Sequence, residues 1–166
     1  MVKIIFLDID GVLNSQLFYV HGRPGGVGLR SDIDPVPVEF LNELIADTGA
    51  KVVVSSTWRL GRSTEELQTL LNQSGFTGEI IGKTKDLRPR VSGTESDSIL
   101  RGNEILCWIK ENQDLIKQDY WTFKHYVIFD DDSDMLYWQR DNFIQTDGYV
   151  GLTPTNTWKA KKILNQ

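Results

Sequence analysis

Short apolar runs alternate with helical patterns along the chain. Runs at 4–7, 51–54 and 126–129 are dominated by Val, Ile, Leu and Phe. Runs of this length and composition are typical of strands that are buried on both faces, as at the centre of a parallel sheet. Weaker strands are predicted near 79–81 and 143–145.

Between these runs, apolar residues recur at helical spacing. The pattern predicts a helix over 38–48 that ends at Gly49, and a capping box from Ser63 to Glu66 begins another. Further helices are predicted from about Gly102, through Met135 and Trp138, and over 158–164. Because strands and helices alternate, we expect an α/β fold with three layers, Rossmann-like, around a central parallel sheet.

The segment at about 11–34 follows the first strand and is rich in glycine. We expect it to form an irregular loop or a short hairpin, which would be a minimal cap on a single domain spanning 1–166. His21 and Arg23 in this loop either contact a bound molecule or are ordinary surface residues. The polar stretch 83–98 is predicted to be a second loop.

Composition is that of an ordinary globular domain, with 40% hydrophobic and 25% charged residues. The formal net charge of −5 argues against broad electrostatic binding to nucleic acid or to a membrane. No apolar stretch or leader pattern indicates a membrane span or secretion. The single cysteine, Cys107, allows no internal disulfide, and we expect a cytoplasmic protein.

Polar side chains follow each of the three strongest strands. Asp8 and Asp10 follow the first, Ser55 the second, and the acidic run 130–132 the third. Parallel strands bring their carboxyl ends to one edge of the sheet, where ligands bind in open α/β folds. An acidic turn is the alternative for Asp8 and Asp10, since Asp is an ordinary turn residue. The convergence of three clusters favours a site.

Carboxylates gathered at one edge repel each other, so some are protonated or a cation lies among them. Oxygen ligands without His or Cys favour Mg²⁺. Asp8 is placed to act as a nucleophile, and Asp10 to exchange protons with a leaving group and with water. The Ser55 hydroxyl and the backbone N–H groups of the following turn suit phosphate oxygens.

Three motifs in order resemble motifs one, two and four of the haloacid dehalogenase superfamily. They are Asp-Ile-Asp-Gly-Val-Leu at 8–13, the strand-terminal Ser55, and Asp130-Asp131. Within the superfamily, 55–59, 101–105 and 151–153 resemble the small phosphatase domains of RNA-repair proteins and the phosphatase half of phage polynucleotide kinase-phosphatase.

The resemblance implies a role for each matched residue. Asp8 would be the nucleophile and a metal ligand, and Asp10 the general acid and base, with its backbone carbonyl on Mg²⁺. Asp131 would be a direct or water-linked ligand supported by Asp130, and Ser55 would hold the phosphate.

Two further acidic residues, Asp132 and Asp134, fit the motif less well. One of them is expected to cap the helix that follows.

The lysine usual in the third motif of the superfamily has no clear counterpart here. Arg101, at the start of the helix before the third strand, is the first candidate for the cation that stabilises the phosphate. Lys83 and Lys85 are the alternatives, and each of the three is otherwise a surface charge.

Ser56, Trp58 and Arg59 follow the second strand and are expected at the mouth of the site, together with Lys83. Trp58 either stacks on a base or packs in the core.

The sequence therefore predicts a Mg²⁺-dependent phosphomonoester hydrolase that forms an aspartyl-phosphate. The short cap would leave the site open to a phosphorylated nucleic-acid end or a nucleotide. The alternative is a non-catalytic Mg²⁺- or phosphate-binding module, such as a receiver-like signalling domain. The spacing of Asp8 and Asp10 favours the enzyme, because a slow switch needs no acid/base.

Overall fold

The computed structural model describes residues 2–21, 32–88, 99–119 and 121–166, with the side chain of His21 excepted. These residues form five strands: β1 (Ile4–Leu7), β2 (Lys51–Val54), β3 (Ile80–Lys83), β4 (Tyr126–Asp130) and β5 (Phe143–Gln145). The strands pair into one parallel sheet in the order β3-β2-β1-β4-β5.

Helices cover both faces of the sheet, as the α/β pattern predicts. Alternate residues of β1 point to opposite faces: Ile5 and Leu7 join one hydrophobic cluster, and Ile4 and Phe6 join the other. The helices are α1 (Gln16–His21), α2 (Pro35–Thr48), α3 (Thr64–Gln73), α4 (Arg101–Glu111), α5 (Gln113–Ile116) and α6 (Pro154–Leu164). The first cluster includes residues of α2, α3 and α6, and the second includes residues of α4 and α5. The three-layer Rossmann-like fold is confirmed.

The register of the central strands aligns the predicted polar clusters. Leu7 lies opposite both Val54 and Phe129. The next residue of β1, Asp8, donates its backbone N–H to the Phe129 carbonyl at 3.0 Å, and the Ser55 N–H donates to the Leu7 carbonyl at 2.9 Å. The strand pairing therefore brings these ends to one edge of the sheet.

Local signals at the helix ends are confirmed. Gly49 adopts a φ of 69° after α2 and donates its N–H to Ile45. Ser63 and Glu66 form the predicted capping box at the start of α3. A similar box between Thr153 and Asn156 begins α6 at Pro154, four residues before the predicted start at Trp158.

The helix predicted through Met135 and Trp138 is wrong. The chain there forms one 3₁₀ turn, Tyr137–Gln139. Asp134 explains the difference, since its carboxylate accepts the Arg101 N–H at 2.8 Å and its carbonyl accepts the Gly102 N–H at 3.3 Å. Asp134 therefore caps α4, not a following helix, and this contact holds its own segment extended.

Two predicted loops also differ from the structure. The segment 11–34 contains the helix α1, which begins after Ser15, whose hydroxyl accepts the Phe18 N–H at 3.1 Å. Lys83 ends β3 and does not begin a loop. Residues 22–31, including Arg23, and residues 89–98 lie outside the described part of the chain.

No helix within the described ranges has the length and apolar character needed to cross a membrane.

Candidate functional site

A cleft of about 590 Å³ lies at the carboxyl edge of the sheet. Residues from several elements line it, among them Asp8, Asp10, Tyr19, Arg101, Asp131 and Tyr149. The cleft therefore lies where the sequence places a ligand site.

Three carboxylates converge at the base of this cleft. Asp8, Asp130 and Asp131 each offer an oxygen, and these oxygens lie within 4.8 Å of one another. Asp8 is 8% exposed and Asp130 is 2% exposed. Such close, buried carboxylates favour either proton uptake or a bound cation.

Burial is the first cause of the shifted pKa values in this cluster. It raises the pKa of Asp8 to about 6, against a hydrogen bond from the Ser56 side chain and the charge of Arg101, which lower it. Burial, and then the charge of Asp8, raise the pKa of Asp130 to about 8. The pKa of Asp131 is also raised, first by burial.

Two glycines leave room for the Asp131 carboxylate. A Cβ added at Gly11 would lie 2.1 Å from Asp131 Cγ, and one added at Gly148 would lie 2.7 Å from Asp131 Oδ2. Gly11 also has a φ of +76°, a backbone conformation that residues other than glycine rarely adopt. Glycine at both positions therefore determines where the third carboxylate lies.

The three carboxylates fit a hard divalent cation. Asp130 Oδ2 is buried and has no hydrogen-bond partner among the described residues. Buried carboxylate oxygens normally accept hydrogen bonds, and one that accepts none, beside two further carboxylates, suits oxygen coordination of Mg²⁺.

Arg101 is the candidate cation that the fold brings to the cleft. Its side chain is 17% exposed, and its Nε lies 3.6 Å from Asp130 Oδ2. Its Nη1 donates to Glu104 Oε2 at 3.0 Å, one turn along α4. Capping by Asp134 fixes the start of α4 and thereby the position of Arg101.

Both lysine alternatives lie elsewhere. Lys83 Nζ donates to the carbonyls of Arg59 and Arg62, so it closes the turn after β2 and does not line the cleft. Lys85 forms an exposed ion pair with Glu111. The expectation that Lys83 contacts substrate is therefore not supported.

Arg59 does not lie at the mouth of the cleft, contrary to the expectation from sequence. It is 2% exposed, and its Nη2 forms an ion pair with Glu104 at 2.6 Å. Its other N–H groups donate to carbonyls, including those of Ser55 at 3.0 Å and Ser56 at 2.7 Å. The 3₁₀ turn Thr57–Arg59 directs the guanidinium inward. Arg59 is an internal link between β2 and α4.

The two serines after β2 are fully buried at its carboxyl end. Ser55 Oγ has no hydrogen-bond partner among the described residues, while the Ser56 side chain bonds to Asp8. Thr57 is exposed and lines the cleft. Thr57 was not predicted from the sequence, although its position three residues beyond the end of β2 was a usable signal.

Asp10 and Trp58 are brought together at the side of the cleft. Asp10 is exposed, and its Oδ2 accepts the Trp58 Nε1–H at 2.9 Å. Trp58 also packs against the hydrophobic core, so neither of the two sequence-based roles describes it fully.

Glu104 is a further residue that was not predicted from the sequence. It is 3% exposed and forms ion pairs with both Arg59 and Arg101. Its position three residues after Arg101 was the available signal.

The raised pKa values of Asp8 and Asp130 predict how stability depends on pH. A carboxyl whose pKa is higher in the folded than in the unfolded state stabilises the fold when protonated, and this contribution is lost as pH rises. In metal-free buffer with chelator, the free energy of unfolding should therefore fall between about pH 4 and pH 8.

Urea unfolding across this pH range measures the effect. Asp130→Asn should flatten the dependence, while Asp114→Asn on the exposed face of α5 should leave it unchanged. An unfolding free energy that rises over this range would contradict the assignment.

A comparison with family models identifies the domain. The model described as the HAD domain in Swiss Army Knife RNA repair proteins matches residues 4–157. No curated protein and no solved structure matched the chain. The matched region contains the three carboxylates, Arg101 and the whole parallel sheet. The chain belongs to this family of haloacid dehalogenase-type domains, which are generally phosphatases.

Proposed function

We propose that the protein is a Mg²⁺-dependent phosphomonoester hydrolase that works through an aspartyl-phosphate on Asp8. The observation that carries the proposal is the position of Asp8. Its buried carboxylate lies at the base of the cleft, with Asp130 and Asp131 on one side and the charge of Arg101 acting on it. This arrangement concentrates opposite charges where a phosphoryl group would transfer.

In the first step, an Asp8 carboxylate oxygen attacks phosphorus and the bond from phosphorus to the leaving oxygen breaks. The leaving oxygen takes a proton from Asp10. With a pKa of about 6, Asp8 is mostly ionised at neutral pH and can act as the nucleophile. Arg101, which lines the cleft, would hold phosphoryl oxygens. The Ser55 hydroxyl, buried at the end of β2 and without a hydrogen bond to the described residues, would be a second donor.

In the second step, water attacks the phosphorus of the aspartyl-phosphate. Asp10 accepts a proton from that water, and the bond between phosphorus and the Asp8 oxygen breaks, which releases inorganic phosphate and regenerates both carboxyl groups.

Asp8, Asp130 and Asp131, with the Asp10 carbonyl, would hold Mg²⁺. The ion would neutralise negative charge on the transferring phosphoryl group. The oxygen-only donor set supports this assignment, as does Asp130 Oδ2, which accepts no hydrogen bond from the described residues.

We further propose that the leaving group is a nucleotide or a nucleic-acid end. The rim of the cleft includes Tyr19 and Tyr149, and Tyr149 is 52% exposed. An exposed aromatic ring beside a phosphate site suits stacking of a base. The description of the family, which places the domain in RNA repair proteins, supports the same class of substrate.

Replacing the nucleophile should abolish turnover. Asp8→Asn is expected to reduce hydrolysis of p-nitrophenyl phosphate by at least about a thousandfold, because the attacking oxygen is lost. The fold should persist, because the substitution removes a buried charge. Circular dichroism checks the fold, and Asp114→Asn is the matched control. Full activity of Asp8→Asn would refute the assignment, as would a stable phosphoryl adduct on wild-type Asp8 without turnover.

Metal dependence should follow the buried cluster. Chelator should abolish activity and added Mg²⁺ should restore it. Asp131→Asn should need roughly 10–100 times more Mg²⁺ for half-maximal activity, since one ligand loses its charge. Asp114→Asn changes an exposed carboxylate on α5, outside both the cluster and the cleft, and should keep the wild-type requirement. Activity that persists in chelator would contradict the metal role.

A substrate panel tests the leaving group. We expect kcat/KM to be at least about tenfold higher for 3′- or 5′-phosphorylated oligonucleotides, or for free nucleotides, than for sugar phosphates, given about 1–3 kcal/mol per stacked base. Tyr149→Ala should reduce that preference, and Tyr149→Phe should retain it. Equal rates on all four substrate classes would contradict the proposal.

A further inference from the structure

The carboxylate of Asp10 is held at both of its oxygens by neutral donors. The Tyr19 hydroxyl donates to Oδ1 at 2.8 Å, and the Trp58 indole N–H donates to Oδ2 at 2.9 Å. Tyr19 lies on α1, whereas Trp58 lies on the turn after β2. Two separate elements of the fold therefore meet at this one exposed side chain.

The Tyr19 donor is itself fixed by a buried residue. Asn14, which is 1% exposed, donates its Nδ2 to the Tyr19 oxygen at 3.0 Å. The same amide group donates to the Asp32 carbonyl at 2.8 Å, and its oxygen accepts the Asp34 N–H at 3.0 Å. Asn14 lies near the start of the segment 11–34 and contacts Asp32 and Asp34 near its end. It therefore connects both ends of this segment to the Tyr19 hydroxyl, which donates to Asp10.

The Trp58 donor is fixed by packing. Its ring contacts the hydrophobic core on one side, and the Arg62 guanidinium lies 5.6 Å from the ring centroid. Its backbone N–H donates to Ser56 Oγ at 3.4 Å. The indole N–H therefore points at Asp10 from a ring with little freedom to turn.

We propose that Tyr19 and Trp58 are positioning residues that orient the Asp10 carboxyl toward the leaving oxygen, an inference that rests on the proposed function. An exposed aspartate otherwise samples several rotamers, and proton transfer requires one geometry. Each carboxyl oxygen has two acceptor positions and receives one hydrogen bond from the described residues, so among these residues a second position on each oxygen is left for the transferred proton.

This role predicts a dependence on the leaving group. An alkoxide, such as a ribose or glycerol oxygen, is a poor leaving group and needs the proton from Asp10. The 4-nitrophenolate ion is stable without it. Because kcat/KM covers only the steps up to departure of the leaving group, the later attack of water does not obscure the comparison.

The experiment compares kcat/KM for glycerol 2-phosphate and for p-nitrophenyl phosphate in Tyr19→Phe and Trp58→Phe. Both substitutions keep a ring and remove the donor. Each should lose about tenfold on the alkyl phosphate, as expected for a hydrogen bond to a charged group, and less than about twofold on the aryl phosphate. Tyr137 and Trp158 are exposed and do not line the cleft, so Tyr137→Phe and Trp158→Phe are matched controls that should equal the wild type on both substrates.

The substrate comparison separates positioning from a structural role. Equal losses on both substrates, or no loss on either, would overturn the proposal. Asp10→Asn must itself lose more on the alkyl phosphate than on the aryl phosphate. If it does not, the proton-transfer role of Asp10 fails, whatever the behaviour of Tyr19 and Trp58.

Discussion

The concentration of buried negative charge at one sheet edge is the constraint on which the rest of the structure depends. The parallel pairing of β1 with β4 places Asp8 beside Asp130, and burial raises the pKa of both. The surrounding residues counter this cost: Arg101 acts by its charge, and Ser56 by a hydrogen bond. A fold that keeps carboxyl groups here sacrifices stability in the metal-free state, which is typical of a functional site.

Arg101 in turn depends on a buried ion pair that does not reach the cleft. Glu104 accepts from both Arg59 and Arg101, at 2.6 Å and 3.0 Å, and so holds Arg101 from behind. Arg59 also binds the carbonyls at the end of β2. Loss of either partner would leave a buried charge uncompensated, so this pair ties the turn after β2 to the start of α4.

Much of the fold and part of the site could be predicted from sequence. The strands were readable because buried parallel strands are apolar throughout, and their parallel order implied that Asp8, Ser55 and Asp130 converge. The environments of Arg59 and Lys83 were not readable, because they depend on contacts with residues distant in sequence, such as the pair between Arg59 and Glu104. The helix predicted after the acidic run failed for the same reason, since Asp134 caps α4 across the fold.

The two carboxylates of the first motif differ in the kind of support they receive. Burial raises the pKa of Asp8 to about 6, and the charge of Arg101 acts against that rise, so Asp8 is mostly ionised at neutral pH. Asp10 is exposed and is contacted by the neutral donors Tyr19 and Trp58. Directional hydrogen bonds to both oxygens fix the orientation of the Asp10 carboxyl group, which a group that transfers protons requires. The surroundings of the two residues therefore fit the proposed roles, an attacking oxygen at Asp8 and a reversible proton carrier at Asp10.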